Sequence, residues 1–229
     1  MRILAFDTST EVCAAALFDG ERWSERREQA GSRHSELLLP MVRALLRESG
    51  LGLTDLDGIA FGAGPGSFTG LRIACGVAQG LAFGAGLPLV GVASLEAMAE
   101  SARAKHGWTR VAAALDARMG EIYFAAYTRN GDEWRTEIEP CVQPADEAPI
   151  PAGRWFGAGN GFAVYPALIA HLAVAALDPD IVPSAIAIGA LALPRFAAGE
   201  GVTASEAAPF YVRHRVALTS AEREAGQTL

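Results

Sequence analysis

A chain of 229 residues is long enough to bury a full core, as one large domain or as two of roughly 100 residues each. Hydrophobic residues make up 51% and charged residues 20%, a balance that excludes intrinsic disorder. A formal net charge of −7 excludes free-standing, charge-driven nucleic-acid binding, which needs a basic face, and leaves RNA contact within a larger assembly open.

Residues 2–6 read as a buried strand ending in the polar turn Asp7-Thr8-Ser9-Thr10, and Asp7 cuts the apolar run too short for a secretory signal. Residues 12–18 form a second strand, Asp19-Gly20 a hairpin turn, and residues 21–26 a third, more exposed strand, together an antiparallel meander. A helix over 34–49 closes at Gly50 and is bent by Pro40. Its apolar surface is wider than one sheet contact needs: Leu38, Val42 and Leu45 suffice for the sheet, leaving Leu37, Met41 and Ala44. Either the helix is buried on both sides within its own fold or it carries an intermolecular face.

A strand over 58–62 leads into the loop GAGPGSFTG, residues 62–70, with Ser67 placed to cap the helix that follows over 69–85. The loop reads as a phosphate cradle, a partner-docking corner or a plain tight turn. It lacks the Gly-Lys-Ser/Thr of a P-loop, and its glycine spacing and missing acidic residue do not fit the dinucleotide fingerprint. The tight strand-to-helix corner is the reading that physics favours. Residues 73–93 are apolar apart from Gln79, long enough for a membrane span, but their glycines and Pro88 break the run. A thin buried helix followed by a strand over 87–92 is expected instead, in a soluble protein. Ser94 is expected to cap a third helix reaching about Lys105. The order β-β-β-α-β-α-β-α is that of one ribonuclease-H-like, actin-type half.

The second half begins alike, with a strand over 111–115 ending at Asp116, another over 121–127, an Asn130-Gly131 turn and a third over 134–139. A proline-rich surface loop over 140–151 follows, then helices over 162–176 and 184–198 and short strands at 181–182 and 210–213. The expected fold is therefore α/β. It has two ribonuclease-H-like lobes with mixed sheets flanked by helices, residues 1–106 and a reduced 107–217, and a frayed polar tail, 218–229.

Asp7 and Asp116 each end a first strand, where actin-type folds face a nucleotide cleft and can hold Mg²⁺ through water. With Ser9, Gly64, Gly66 and Ser67 they form a candidate vestigial cleft, although Thr8 and Ala117 stand where phosphate approach would want glycine. His34, His106, His171 and His214 form no metal-ligand motif, and His34 reads as a surface or interface residue. Cys13, Cys75 and Cys141 read as reduced core thiols of a cytoplasmic protein. Ser67 is not in a nucleophile elbow, Arg118 and Glu121 can pair across a turn, and Tyr211, Arg213, His214 and Arg215 form a small aromatic-basic cluster usable on RNA backbone.

The stretches MRILAFDTSTEVCAAAL, RHSELLLPMVRALL, GAGPGSFTGLRI, LDARMGEIYFAAY and PFYVRH resemble the bacterial TsaB (YeaZ) family in order and spacing, from Met1 to about Arg215. Ala63 and Ala74 depart from many relatives, in loop and helix packing only. The resemblance implies a non-catalytic subunit that pairs with catalytic TsaD, joined by the ATPase TsaE. Together they transfer threonylcarbamoyl from threonylcarbamoyl-AMP to the adenosine beside the anticodon of ANN-decoding tRNAs. It implies ATP and a metal ion on the partner subunits and none here, because Ser94 and Met98 stand where TsaD-like sequences carry a metal-binding His pair. It also implies tRNA contact only through the complex, no membrane, and a homodimer when TsaD is absent. The family pairs through its two N-terminal helices, which makes His34, Leu37, Leu38, Met41, Ala44, Leu45, Phe68, Leu71, Cys75 and Ala78 the expected interface. A charge at Met41 or Ala78 is then expected to abolish pairing without unfolding. The alternatives are an actin-fold ATP-dependent kinase or phosphohydrolase using Asp7, Asp116 and the glycine loop, and a metallopeptidase.

Overall fold

The computed structural model describes residues 1–213; the expected tail, and His214 and Arg215 of the expected aromatic-basic cluster, lie outside the described residues. The apolar run of β1 (Ile3–Asp7) is buried along its whole length, which marks it as a central strand covered on both faces. It pairs antiparallel with β2 (Val12–Phe18), which pairs antiparallel with the largely exposed edge strand β3 (Trp23–Gln29), giving the expected meander. On its other side β1 runs parallel to β4 (Gly58–Gly64), and β4 to β5 (Leu89–Ala93), so the sheet order is β3-β2-β1-β4-β5.

Helices α1 (His34–Ser49) and α2 (Phe68–Ala85) cover the face that carries Leu4, Phe6 and Phe61. The opposite face, with Ile3, Ala5 and Ala60, is covered by the last helix, α6 (Ala185–Ala197), through Ile188, Ala192 and Phe196. Alternation along β1 assigns each residue to one layer or the other.

The second sheet repeats this plan. β6 (Arg110–Arg118), β7 (Glu121–Asn130) and β8 (Glu133–Pro144) form an antiparallel meander. β9 (Phe156–Ala158) and β10 (Ala176–Asp178) add in parallel beside β6, giving the order β10-β9-β6-β7-β8. One face packs on α3 (Ser94–His106) and the other on α4 (Gly161–Val164) and α5 (Ala167–Leu172). The protein is α/β, two mixed sheets flanked by helices, and the second unit has only a 3-10 turn, Ala145–Glu147, between β8 and β9. Helix α3 leaves the first sheet to pack on the second, and α6, within the stretch expected to form the second lobe, returns to the first.

Several expectations need correction. The helix expected over 162–176 is two short helices, interrupted at Tyr165-Pro166, and β10 takes its end. The segments 181–182 and 210–213 are not strands, while β9 and β10 were not foreseen. Part of the expected proline loop is β8, an edge strand whose register shifts accommodate Pro140. Ala93, not Ser94, occupies the N-cap position of α3, with no side-chain cap bond, and the Ser94 hydroxyl is buried without a partner among the described residues.

The α6 layer depends on close approach at Gly189, where an added Cβ would stand 2.1 Å from the Trp23 ring. Gly189→Ala is expected to destabilise the chain by about 1–3 kcal/mol through overpacking. Gly80→Ala, in open space on α2, should stabilise the isolated chain by about 0.8 kcal/mol. Urea unfolding of the two variants checks the opposite signs.

Candidate functional site

The segment from Gly62 to Gly70 is built against the chain's own first turn. A Cβ at Gly62 would stand 1.9 Å from Asp7 Oδ2, and one at Gly70 would stand 1.8 Å from the Thr8 carbonyl oxygen. Only glycine allows that approach. The Ser67 amide donates to the Ser9 carbonyl at 2.7 Å, and the Thr8 hydroxyl donates to the Gly70 carbonyl at 2.7 Å. Ser67 caps α2 by accepting from the Gly70 amide at 3.3 Å. The Ser67 and Gly70 amides and the faces of Gly62, Gly66 and Gly70 are therefore occupied from within, as in the tight-corner reading.

Asp7 lies on the same face of β1 as Ile3 and Ala5, beneath α6, and is 1% exposed. Its Oδ1 accepts from the Ser9 amide at 3.0 Å and the Ser9 hydroxyl at 2.8 Å, while Oδ2 is buried without a partner. Burial pushes the carboxyl up from 3.8 to about 7, against the lowering effect of the two Ser9 bonds. Asp7 is not among the cleft-lining residues.

The cleft itself, about 1040 Å³, opens between Ser9, Gly66 and Ser67 of the first unit and Asp116, Arg118 and Tyr123 of the second. The Asp116 side chain is only 7% exposed and pairs with the Arg118 guanidinium at 3.2 Å. Its Oδ1 also accepts from the Arg118 amide at 2.9 Å and the Tyr165 hydroxyl at 3.0 Å. That amide bond supports the left-handed conformation of Arg118 (φ 64°), and Met119-Gly120 (φ 57° and 81°) completes a primed hairpin turn. Glu121, expected to meet Arg118, instead accepts from Arg213. The two aspartates thus do not converge, and both are engaged by their own surroundings. Gly64 (φ 119°) supports the chain's later return over this corner.

The helical face differs from expectation. Leu38, Met41, Leu45, Leu71, Cys75 and Ala78 are buried in the core of the first unit, so a charge at Met41 or Ala78 would act on folding before pairing. Leu37 and Ala44 are half-buried. His34 is buried, not a surface residue: its Nε2 bonds the Thr10 carbonyl at 2.9 Å and ties α1 to the first turn. Phe68 is 41% exposed. The open part of α2 is a stripe of Gly76, Gly80 and Gly84, among the small residues expected to make this helix thin enough for a close neighbour, with no described residue near where their Cβ atoms would be; with them stands Phe83, 85% exposed and not among the expected interface residues. Its signal in the sequence was a lone Phe at three- and seven-residue spacing from glycines.

Comparison with known proteins bears on what these surfaces serve. Residues 27–156 match the model of the family described as TsaD, tRNA N6-adenosine threonylcarbamoyltransferase. The TsaB protein of Escherichia coli, described as a tRNA threonylcarbamoyladenosine biosynthesis protein, is 42% identical over 95% of this chain and 96% of its own length. The TsaB of Haemophilus influenzae is 38% identical over 94% and 95%. The chain belongs to the TsaB (YeaZ) family. The solved structure of YeaZ from Pseudomonas aeruginosa superposes with a TM-score of 0.86 at 42% identity, covering 92% of this chain and 99% of that one. Another solved structure, of a Pseudomonas aeruginosa protein described as uncharacterized with similarity to the peptidase YEAZ, gives 0.88 at 43% identity, covering 93% and 99%.

In this TsaB-family chain Ser94 and Met98 are both fully buried, and Met98 packs with Leu95 and Leu115 in the α3 core. Among the described residues no group of three His, Cys, Asp or Glu side chains is arranged to hold a metal ion. Among them too, no helix is long and apolar enough to cross a membrane. Cys13, Cys75 and Cys141 are free, and burial helps push the Cys13 thiol up to about 11.

Asp7 supplies a pH test. Folding raises its pKa from 3.8 to about 7, so the folded state binds the proton more tightly than the unfolded chain does. Its contribution to stability is full below about pH 4 and is lost as pH rises toward 7. Asp7→Asn should remove that slope and raise stability at pH 8 by up to about 4 kcal/mol, read from urea melts at pH 5 and pH 8.

Proposed function

We propose that this chain is the non-catalytic subunit that binds and supports TsaD in threonylcarbamoyl transfer from threonylcarbamoyl-AMP to the adenosine beside the anticodon of ANN-decoding tRNAs. TsaE joins the assembly, tRNA is met through the complex, and the chain pairs with itself when TsaD is absent. ATP and the metal ion belong to the partner subunits, and the complex works in the cytoplasm. Family membership and the match of residues 27–156 to the TsaD model support a place in this modification.

The observation that carries the partner role is the outer stripe of α2. Each glycine inside a helix costs about 1 kcal/mol relative to alanine, and none of the described residues approaches Gly76, Gly80 or Gly84 closely enough to require one. Their flatness serves an approach from outside, and Phe83 stands on the same stripe as a large apolar anchor. Helix α1 packs beside α2 and leaves Leu37 and Ala44 half-buried, so a helix pair from a partner can pack on the two at short interaxial distance. The reading as an ATP-dependent kinase or phosphohydrolase is disfavoured by the sealed Asp7 and by the self-bonded glycine corner. The metallopeptidase reading finds no ligands in the buried Ser94 and Met98.

Phe83→Ala should weaken TsaD binding about thirtyfold, an interface truncation of about 2 kcal/mol. Gly80→Glu should abolish binding, with the circular dichroism of the isolated chain unchanged and its melting no lower. Titration calorimetry with TsaD from the same organism checks both, and unaltered affinity in both variants contradicts the proposal.

A further inference from the structure

Beyond α6 the chain makes an irregular path that touches both units on the cleft side. Val202 exchanges backbone hydrogen bonds with Leu89, both 2.9 Å, at the edge of the first sheet. The Ala207 carbonyl accepts from the Gln79 amide side chain of α2 at 2.9 Å. The Phe210 amide donates to the Ala63 carbonyl at 2.7 Å, and the Phe210 carbonyl fills the space beside Gly64, 2.5 Å from where a Cβ would be. The Tyr211 hydroxyl accepts from Arg72 Nε at 3.1 Å, and the same guanidinium lies 3.5 Å above the Phe68 ring. Finally Arg213, 13% exposed, donates to the Glu121 carboxylate of β7 and sits 5.9 Å over the Tyr123 ring.

On α2 the residues met by this path, Phe68, Arg72 and Gln79, follow four- and seven-residue spacing and run beside the open Gly76–Gly80–Phe83 stripe. Its attachment is mostly polar: Ala207 is buried, whereas Phe210 and Tyr211 are 45% and 39% exposed. Segments held by few buried apolar contacts open at low cost, and here the charge-assisted Arg213–Glu121 contact fixes the far end.

We propose that residues 202–213 are a clasp that sets the opening of the cleft between the two units and couples it to the flank of α2. An object seated on the open stripe of α2 meets Phe68 and Arg72 at its edge, and through Tyr211 and Arg213 it holds the β6–β7 hairpin. The second half of this statement rests on the reading of α2 as the partner face; the first does not.

Hydrogen exchange on the full chain and on Arg213→Ala tests it. In the variant, exchange should rise at least tenfold across residues 207–211 and 116–123 together, with β2 and α6 unchanged. A rise confined to 116–123 marks a local ion pair and overturns the clasp, as does full exposure of 207–211 in the unmodified chain. With saturating TsaD, the unmodified chain should gain protection in α2 and in 116–123, and Arg213→Ala in α2 alone. Protection of α2 with 116–123 unmoved overturns the coupling and leaves the partner reading intact. Absence of protection on α2 contradicts the partner reading, and the comparison without TsaD still decides the clasp.

Discussion

The structure depends on one contact, the seating of the first strand's terminal turn into the glycine corner. Thr8, Ser9 and the end of β1 lie where side chains at Gly62, Gly66 and Gly70 would otherwise be. The central strand is thereby locked to the start of α2, and the helix leaves at an angle that places one flank on the core. The cost of this arrangement is visible in Asp7, a carboxylate sealed under α6 with one oxygen unpaired. A buried, half-satisfied acid is poor design for stability. The carboxyl ends the central strand, and the surrounding chain closes over it.

Two kinds of glycine follow. Those of the corner face inward and are explained by the chain's own first turn, through the Asp7 side chain and the Thr8 and Ser9 backbone. Those at positions 76, 80 and 84 face outward, are helix-weakening, and have no explanation among the described residues. The self-occupied cleft corner and the flat helical stripe are the two features on which the proposed association rests. This division gives the family membership its physical content here.

Much of the first unit was legible in the sequence because its elements are long and punctuated: an apolar run ending in Asp7, Asp19-Gly20, a Ser67 cap, Gly50 and Gly86 stops. In the second unit β9 and β10 were not, since three-residue strands have no periodicity and exist through their partners. Nor could the sequence show which way Asp7 points. It ends β1, whereas β6 runs on two residues past Asp116; alternation places Asp7 with Ile3 and Ala5 under α6, while Asp116 reaches Arg118 and Tyr165 at the cleft. On the helices, apolar spacing identified a broad face but not its depth: Met41, Cys75 and Ala78 turn inward, and the outward surface is made of residues that hydrophobicity underrates, namely glycine.

The central claim is that the outer stripe of α2, and not the glycine corner, is the working surface. A photoreactive benzophenone side chain placed at Phe83, and separately at Ser67, tests it most directly. On irradiation with TsaD, the account predicts a covalent adduct from position 83 and none from position 67. Adducts from position 67 alone would contradict it.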